Sequence, residues 1–213
     1  MTPLRLFETM RAESGRVRLL DLHLARLAES AVQLGFRLNL GEARDAVVSQ
    51  ASGVTGASRL RLTLGHDGNL DLALSPLDGT PWRTAIIAPW PLVEAGSLLC
   101  RHKTTRREHY ERPYGWARAR GADEAILLDR HGAVVEGTRS TVWVERDGRL
   151  LTPPLSAGGL PGVDRAHRLA TDSRASEAPL RTGDLHASTH VYLSNALRGL
   201  QPIRLLLSRP SPS

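Results

Sequence analysis

The first part of the chain contains two pairs of short stretches in which apolar and polar residues alternate. Residues 4–10 and 16–20 surround a turn with Gly15 and predict an opening strand hairpin. Residues 59–64 and 70–74 alternate with a period of two around a polar turn, so they predict a second hairpin with one buried face.

Between these hairpins the apolar residues recur at helical spacing. A first helix is expected from Asp21, as its N-cap, to Gly35, where a helix stops readily, and a second helix over residues 41–50. The first helix also carries a polar stripe, His23, Arg26 and Ser30. Such a stripe is usually a solvated face, although its arginine can also reach inward to an anion.

The second part repeats the same types of element. A helical segment is expected over 104–120, in which Pro113 must kink the helix or begin a new one. A helix is also expected from Leu160–Val163 to about Thr171. Strands are expected at residues 86–87, 125–128, 133–136, 141–144, 149–152, 190–195 and 201–207.

Prolines between residues 76 and 91 separate the two parts of the chain. We therefore expect a small N-terminal α/β subdomain over residues 1–88, a linker over 89–100 and a larger subdomain over 101–213. Many hairpins with a few helices indicate an α+β fold with mostly antiparallel sheets. The closing residues 210–213 are expected to fray.

Composition narrows the class of protein. The chain has 213 residues and a net charge of +6, but aromatic residues make up only 4% of it, so a surface for stacking nucleic-acid bases is poorly supported. The lone Cys100 suits a reducing cytoplasm, and no stretch approaches the length of a membrane span. We expect a cytoplasmic protein that binds neither nucleic acid nor membrane.

Lys103 is the only lysine; the other 27 of the 28 basic side chains are arginines. An amine can lose its proton and act as a nucleophile or base, whereas a guanidinium stays charged. A single lysine can also be the surface residue that survived a bias toward arginine. Lys103 is therefore a candidate catalytic residue.

Two further features follow Lys103 in order. Glu136 stands at the end of a buried strand, and Gly162 and Val163 open a helix. A site for pyridoxal 5′-phosphate (PLP) needs an amine for a Schiff base, an acid for the pyridine nitrogen and backbone amides for the phosphate. The three features supply these groups, and no metal-binding spacing is found.

Six segments together resemble the fold-type IV PLP enzymes, the family of class IV aminotransferases and 4-amino-4-deoxychorismate lyases. The resemblance covers nearly the whole chain and rests on Leu6–Arg11, His23–Leu27, His102–Thr105, Gly121–Ala125, Glu136–Ser140 and Leu160–Val163, with Ser194–Leu197 before Pro202 fitting as well. It implies a fold of two α/β subdomains, PLP as cofactor and a homodimer.

The resemblance also implies roles for individual residues. Lys103 would hold the cofactor and move the substrate proton, and Glu136 would pair with the pyridine nitrogen. Arg26 would bind the phosphate, and Leu160 would pack on the ring. The remaining expected phosphate contacts are the amides of Val163 and Asp164 and a second loop at Asn195 and Ala196.

Three departures from the family pattern affect what can be carried over. The family begins with a further strand segment that this chain lacks, so part of the substrate pocket is expected to be missing or rebuilt. Thr141 stands where asparagine is common. Asp164 places a carboxylate at the phosphate site, and it must turn away from the phosphate or weaken its binding.

The Asn195–Leu197 run and the context of Lys103 look most like the aminodeoxychorismate lyases, which eliminate pyruvate to form 4-aminobenzoate for folate synthesis. Arg11 and Arg107 are the candidates for binding a dicarboxylate substrate. An amino-acid aminotransferase, for branched-chain or D-amino acids, stays open. So does a non-catalytic basic binding protein on the same fold.

Overall fold

The computed structural model describes residues 3–207, and the expected frayed end at 210–213 lies outside them. The chain forms two compact units. The first comprises the residues up to Gly79 together with His102–Arg106, and the second comprises Thr80–Arg101 and the residues from Arg107 onward. The structural division therefore differs from the expected one: the segment with Lys103 belongs to the first unit.

The first unit is a four-stranded antiparallel sheet with two helices. Its elements are β1 (Leu6–Glu13), β2 (Arg16–Val17), α1 (Leu20–Leu34), α2 (Leu40–Ser52), β3 (Ser58–Leu64) and β4 (Leu70–Pro76). The strand order is β2-β1-β3-β4. Every second residue of β1 and β3 enters the core with the apolar faces of the helices, as the alternation predicts.

The residues at the ends of α1 and α2 explain where these helices begin and end. α1 begins after Leu19, which has a left-handed backbone with φ of 57° and makes no side-chain cap, so Asp21 is not the N-cap. Gly35 ends α1 with φ of 72°, a conformation that glycine adopts without strain. α2 is capped by Asn39, whose side chain accepts hydrogen bonds from two backbone amides.

The second unit is an eight-stranded mixed sheet with four helices. Its elements are β5 (Thr84–Ile87), α3 (Leu98–Arg101), α4 (Glu108–Arg118), β6 (Glu124–Leu128), β7 (Val134–Gly137), β8 (Thr141–Arg146), β9 (Arg149–Thr152), α5 (Val163–Thr171), β10 (Ala175–Glu177), α6 (Thr182–Ala187), β11 (His190–Asn195) and β12 (Gly199–Leu206). The strand order is β10-β9-β8-β11-β12-β5-β6-β7.

Three neighbouring pairs in this sheet are parallel, β10 with β9, β12 with β5 and β5 with β6. The other pairs are antiparallel, which confirms the expected α+β class. Pro113 lies inside α4 and does not divide it. The sequence did not indicate β10 and α6, because both are short and neither has a clear apolar period. No helix within residues 3–207 is long and apolar enough to cross a bilayer.

Candidate functional site

The segment with Lys103 is attached to β1 by its backbone. The amide of Phe7 donates to the carbonyl of Lys103 at 2.9 Å, and the amide of Thr105 donates to the carbonyl of Arg5 at 2.9 Å. These two hydrogen bonds hold the backbone of Lys103 in place, in the way that strand pairing would hold a residue of an additional strand. Its amine, Nζ, lies 4.5 Å from the centre of the Phe7 ring.

His102 holds the same segment to α1. Its Nδ1 lies 3.0 Å from the hydroxyl of Ser30, and its Nε2 lies 3.1 Å from the side-chain oxygen of Gln33. His102 is buried, so both ring nitrogens are satisfied without water. The position of Lys103 is therefore constrained on both sides, by β1 and by α1.

The polar stripe on α1 is buried rather than solvated. Arg26 forms a two-pronged contact with the carboxylate of Glu8 in β1, at 2.8 Å from Nε and 2.6 Å from a terminal nitrogen. Nδ1 of His23 lies 2.7 Å from the same carboxylate. Glu8 is only 1% exposed and His23 is fully buried. The expected phosphate-binding arginine is thus oriented by a carboxylate that the sequence reading did not single out.

The protonation states of Glu8 and His23 depend on burial and on the contacts that these residues make with each other and with Arg26. Burial alone raises the pKa of Glu8, but the charge of Arg26 and the hydrogen bonds from Arg26 and His23 outweigh burial and lower the pKa to about 2. Burial lowers the pKa of His23, so its ring is neutral near pH 7. Since a carboxylate only accepts hydrogen bonds, the proton of His23 is on Nδ1, and its buried Nε2 is an acceptor without a hydrogen-bond partner among the described residues.

The low pKa of Glu8 predicts a specific loss of stability in acid. Because the pKa is about 2 in the folded chain and 4.5 in its ordinary state, the stabilisation is complete above pH 4.5 and is lost between pH 4.5 and 2. It amounts to about 3 kcal/mol. We expect the unfolding free energy of the Glu8→Gln variant, measured with urea and circular dichroism, to fall less steeply over this range than that of the parent.

Glu29→Gln is the matched control, because Glu29 lies exposed on α1 and its carboxylate accepts a hydrogen bond from the neutral side chain of Gln33. This variant should keep the parent's dependence on pH. Equal slopes for Glu8→Gln and Glu29→Gln would contradict the assignment of the acid sensitivity to Glu8.

In the second unit, Glu136 is the penultimate residue of the buried strand β7 and is 8% exposed. Its two carboxylate oxygens have different donors: the hydroxyl of Tyr110 at 2.5 Å and the backbone amide of Leu160 at 3.2 Å. Burial and then the charge of Glu136 raise the pKa of Tyr110, so the phenol remains a donor. Donors to both oxygens favour the ionised carboxylate that a protonated pyridine nitrogen requires.

The loop before α5 approaches Glu136 so closely that it needs glycine. A Cβ atom at Gly159 would lie 3.2 Å from the carboxylate carbon of Glu136, and one at Gly162 would lie 2.8 Å from the hydroxyl of Thr141. The first is tight and the second can be accommodated only by a shift of Thr141. Because these two glycines lack a Cβ atom, the backbone can lie directly against Glu136 and, at the start of α5, against Thr141.

The backbone amides in the first turn of α5 have no partner within the helix, as at every helix start. Asp164 is 1% exposed, and its carboxylate accepts a hydrogen bond from Nε of Arg168 at 2.8 Å, one turn further along the helix. The carboxylate is therefore turned along α5 and neutralised by an arginine. This arrangement removes the repulsion that an acidic residue would otherwise exert on a phosphate at the amides of Val163 and Asp164.

Asn195 shapes the turn that follows β11. Its side-chain oxygen accepts from the amides of Leu197 and Arg198 at 3.1 and 3.0 Å, and its side-chain nitrogen donates to the carbonyl of Arg139 at 3.1 Å. Ala196 is buried in this turn. The Asn195 side chain thus fixes the backbone here, and any phosphate contact at this loop comes from that fixed backbone.

Glu124 has a structural role in this region. The sequence analysis included it only as part of the segment Gly121–Ala125 and gave it no role of its own. It is fully buried and accepts hydrogen bonds from the amides of Thr138 and Arg139 and from the hydroxyl of Ser140. Burial raises its pKa, and these donors oppose the rise. Glu124 therefore pins the loop that directly follows Glu136. A polar residue at the start of an otherwise apolar strand was the only signal in the sequence.

The two arginines expected to bind substrate both have internal contacts. Arg11 donates to Glu13 at 2.8 and 3.0 Å. Arg107 donates to the backbone carbonyl of Thr138 at 2.7 Å and stacks on the ring of Tyr110 at 4.6 Å. Their proposed contact with substrate stays a prediction.

The residues fit PLP within each unit. The first unit presents a lysine amine and an arginine oriented by Glu8, and the second presents a carboxylate with two donors, a glycine backbone close beside it at Gly159, and a helix start whose acidic side chain is paired with an arginine. No cluster of three or more His, Cys, Asp or Glu residues able to hold a metal occurs within residues 3–207.

The similarity of this chain to known proteins covers nearly its entire length. The family model for amino-transferase class IV matches residues 5–206. The crystal structure of a provisionally named amino-acid aminotransferase from Mesorhizobium loti is 35% identical and superposes with a TM-score of 0.87, over 95% of this chain and 100% of the other.

Two curated relatives carry different names. A provisionally named aminodeoxychorismate lyase of Schizosaccharomyces pombe is 28% identical over 200 residues, which are 91% of this chain and 86% of the relative. A provisionally named branched-chain-amino-acid aminotransferase of Methanocaldococcus jannaschii is 33% identical over 87 residues, but these are only 39% of this chain and 30% of that relative. The chain belongs to amino-transferase class IV and is an enzyme of this PLP-dependent family.

Proposed function

We propose that this enzyme is a 4-amino-4-deoxychorismate lyase, which eliminates pyruvate to give 4-aminobenzoate. The observation that carries the proposal is the alignment with the lyase-named protein of Schizosaccharomyces pombe, because it spans 91% of this chain and 86% of that relative. The structure supports the proposal with the fixed position of Lys103, the only lysine of the chain, whose backbone is hydrogen-bonded to Phe7.

In this proposal Lys103 has two tasks. Its Nζ would hold the cofactor, and the amine, once free, would take the proton from the carbon that bears the substrate nitrogen. PLP, when bound, supplies the electron withdrawal that makes this proton acidic. Breaking the carbon–oxygen bond at the neighbouring ring carbon would then expel enolpyruvate, which takes up a proton to become pyruvate, and the loss of the proton and of this group would leave an aromatic ring.

The other residues bind and orient. Glu136, which accepts a hydrogen bond from Tyr110, would pair with the pyridine nitrogen, and Leu160 would pack on the ring. Arg26 and the amides of Val163 and Asp164 would bind the phosphate. The loop at Asn195 and Ala196 would complete the phosphate site, and Arg11 and Arg107 remain candidates for the substrate carboxylates.

The decisive experiment supplies aminodeoxychorismate to the purified, PLP-loaded protein. We expect pyruvate, measured with lactate dehydrogenase, and 4-aminobenzoate, measured by chromatography, to appear in equal amounts and without an added 2-oxo acid. The Lys103→Arg variant serves as the control for spontaneous breakdown. Absence of both products at saturating substrate would refute the lyase proposal.

An amino-acid aminotransferase is the second candidate, and the match to the Mesorhizobium loti protein favours it. It differs from the lyase in a measurable way: an amino acid alone converts the cofactor to its amine form, and a 2-oxo acid converts it back. Visible spectra recorded with a panel of branched-chain and D-amino acids distinguish the two candidates. A complete conversion by one of these amino acids would favour the aminotransferase.

We also propose that the enzyme is a cytoplasmic homodimer, as the family resemblance and the single buried Cys100 support. Its substrate is a small molecule. Light scattering coupled to size-exclusion chromatography measures the oligomeric state, and a mass equal to one chain of 23.2 kDa would contradict the dimer.

A further inference from the structure

Asp164 is the acidic residue that departs from the family pattern at the expected phosphate site. It lies in the first turn of α5, before the helical hydrogen bond from the amide of Ala166 to the carbonyl of Gly162 at 2.9 Å. Its side chain is only 1% exposed. A buried carboxylate is costly unless a cation and hydrogen bonds offset its charge, so the pairing of Asp164 with Arg168 needs a closer description.

The start of α5 favours a negative group, whether that group belongs to the protein or to a ligand. The backbone amides there point out of the helix and carry partial positive charge. A phosphate bound by the amides of Val163 and Asp164 would lie close to the carboxylate of Asp164, and two anions at one helix end repel each other. The affinity for phosphate at this position therefore depends on how far the charge of Asp164 is offset.

Arg168 reaches from α5 to the turn that follows β11. Its Nε donates to the carboxylate of Asp164 at 2.8 Å. One of its terminal nitrogens lies 3.8 Å from the place that a Cβ atom would occupy at Gly199. Gly199 is paired with Asn195 across β11 and β12, so it closes the turn that begins at Asn195. The guanidinium is therefore close to both segments of this unit that are expected to contact the phosphate.

Asp172 is a second carboxylate near Arg168, but its hydrogen bonds come from another arginine. It follows α5 and accepts from the backbone amide of Arg174 at 3.0 Å and from the side chain of Arg174 at 2.9 and 3.1 Å. The side chain of Arg168 is 20% exposed, whereas that of Arg174 is 60% exposed. Among the described residues, the largely buried Arg168 thus has its ion pair with Asp164.

We propose that Arg168 is a positioning residue of the cofactor site: by pairing with Asp164, it offsets the carboxylate that this chain carries beside the phosphate and so sets how tightly the phosphate is bound. A purely structural ion pair would stabilise the fold and leave the preference for a phosphate unchanged. The inference rests on the proposed place of the phosphate at the start of α5, and it adds to that proposal two side chains that act as a unit.

The test measures the binding of two ligands that differ only in a phosphate group. Pyridoxine 5′-phosphate and pyridoxine carry no aldehyde, so their binding needs no covalent bond to Lys103. Each is titrated by calorimetry into the full chain after PLP has been removed. The ratio of the two dissociation constants gives the phosphate preference, which we expect to be at least about tenfold in the parent.

Three variants form a double-mutant cycle around the pair. Arg168→Met removes the cation beside the carboxylate, so the phosphate preference should fall at least about tenfold. Asp164→Asn removes the competing negative charge while Arg168 remains, so the preference should rise at least about threefold. The double variant carries neither charge, and its preference should return to within about threefold of the parent's.

Arg146→Met is the matched control, because Arg146 also pairs with an aspartate of the second unit, Asp184 at 3.0 Å, but belongs to β8. It should keep the parent's phosphate preference. An equal loss of affinity for both ligands in Arg168→Met would show a structural role only and overturn the proposal. A parent without a phosphate preference, or an unchanged preference in Asp164→Asn, would overturn it as well.

Two further comparisons keep the test decisive. If circular dichroism shows that Arg168→Met is unfolded, the parent and Asp164→Asn still decide, because asparagine keeps hydrogen-bonding groups at this position. The binding measurements also involve no turnover, so they are independent of the lyase reaction. The expected cycle in a protein that forms no 4-aminobenzoate would support the role of Arg168 and count against the lyase. A working lyase in which Arg168→Met keeps the phosphate preference would support the lyase and overturn the role of Arg168.

Discussion

The Lys103→Ala variant is expected to lose the visible absorbance band of covalently held PLP and to lose activity by at least about 10³-fold. Lys103 is the only lysine of the chain, so no other side-chain amine can replace it. The measurements are the visible spectrum with added PLP, and the mass of the protein after borohydride treatment. Reduction should attach the cofactor to the parent at Lys103 and leave the variant unmodified.

Lys103→Arg is the matched control for charge. It keeps a cation over Phe7, but a guanidinium neither attacks an aldehyde nor accepts a proton near neutral pH. We expect it to fold as the parent does and to lack the covalent band, as Lys103→Ala does. An unchanged spectrum in either variant would remove Lys103 from its assigned role.

Glu136→Gln is expected to retain the covalent cofactor but to reduce kcat by about 10²-fold or more, because removing a charged group aimed at the reacting system typically has this effect. The neutral amide cannot stabilise a protonated pyridine nitrogen. The amide of Leu160 can still donate to the new side chain at the position now 3.2 Å away, so the loop should stay in place. The measurements are steady-state kinetics and the pH dependence of the cofactor spectrum.

Glu145→Gln is the matched control for this substitution. Glu145 lies in β8 of the same sheet and, as Glu136 does, accepts a hydrogen bond from a tyrosine, the hydroxyl of Tyr192 at 2.6 Å. It should leave kcat and the spectrum unchanged. If Glu136→Gln and Glu145→Gln behave alike, Glu136 has no special role toward the cofactor.

The structure also shows that candidate residues form hydrogen bonds with residues far away in sequence. Tyr110 donates to Glu136 across 26 positions, and Glu8 accepts from Arg26 across 18. Glu8 could have been noticed from its place in β1, where alternation puts a carboxylate on the side of Leu6 and Met10. Nothing in the sequence marks Tyr110, since a buried phenol in a helix ordinarily reads as part of the core.

The sequence by itself determined the features that depend on neighbouring residues. The alternation of residues 59–64 and 70–74 predicted the hairpin of β3 and β4, and Gly35 predicted the end of α1. The lone lysine and its order before Glu136 indicated the cofactor, and the resemblance of six ordered segments indicated the family, because a motif records chemistry without needing coordinates. Asp21 was wrong as an N-cap, since the left-handed Leu19 begins α1 without a side-chain cap.

Only the tertiary structure decided which polar residues form hydrogen bonds or ion pairs, and with which partners. It placed Lys103 with the first unit, turned the carboxylate of Asp164 toward Arg168, and brought Arg61 to the same ring as Lys103. These contacts join residues that sequence reading treats as independent, because hydrogen bonds and ion pairs at a distance depend on strand register and helix docking. Local patterns specify each strand and helix, whereas the environment of each charged group arises when these elements pack.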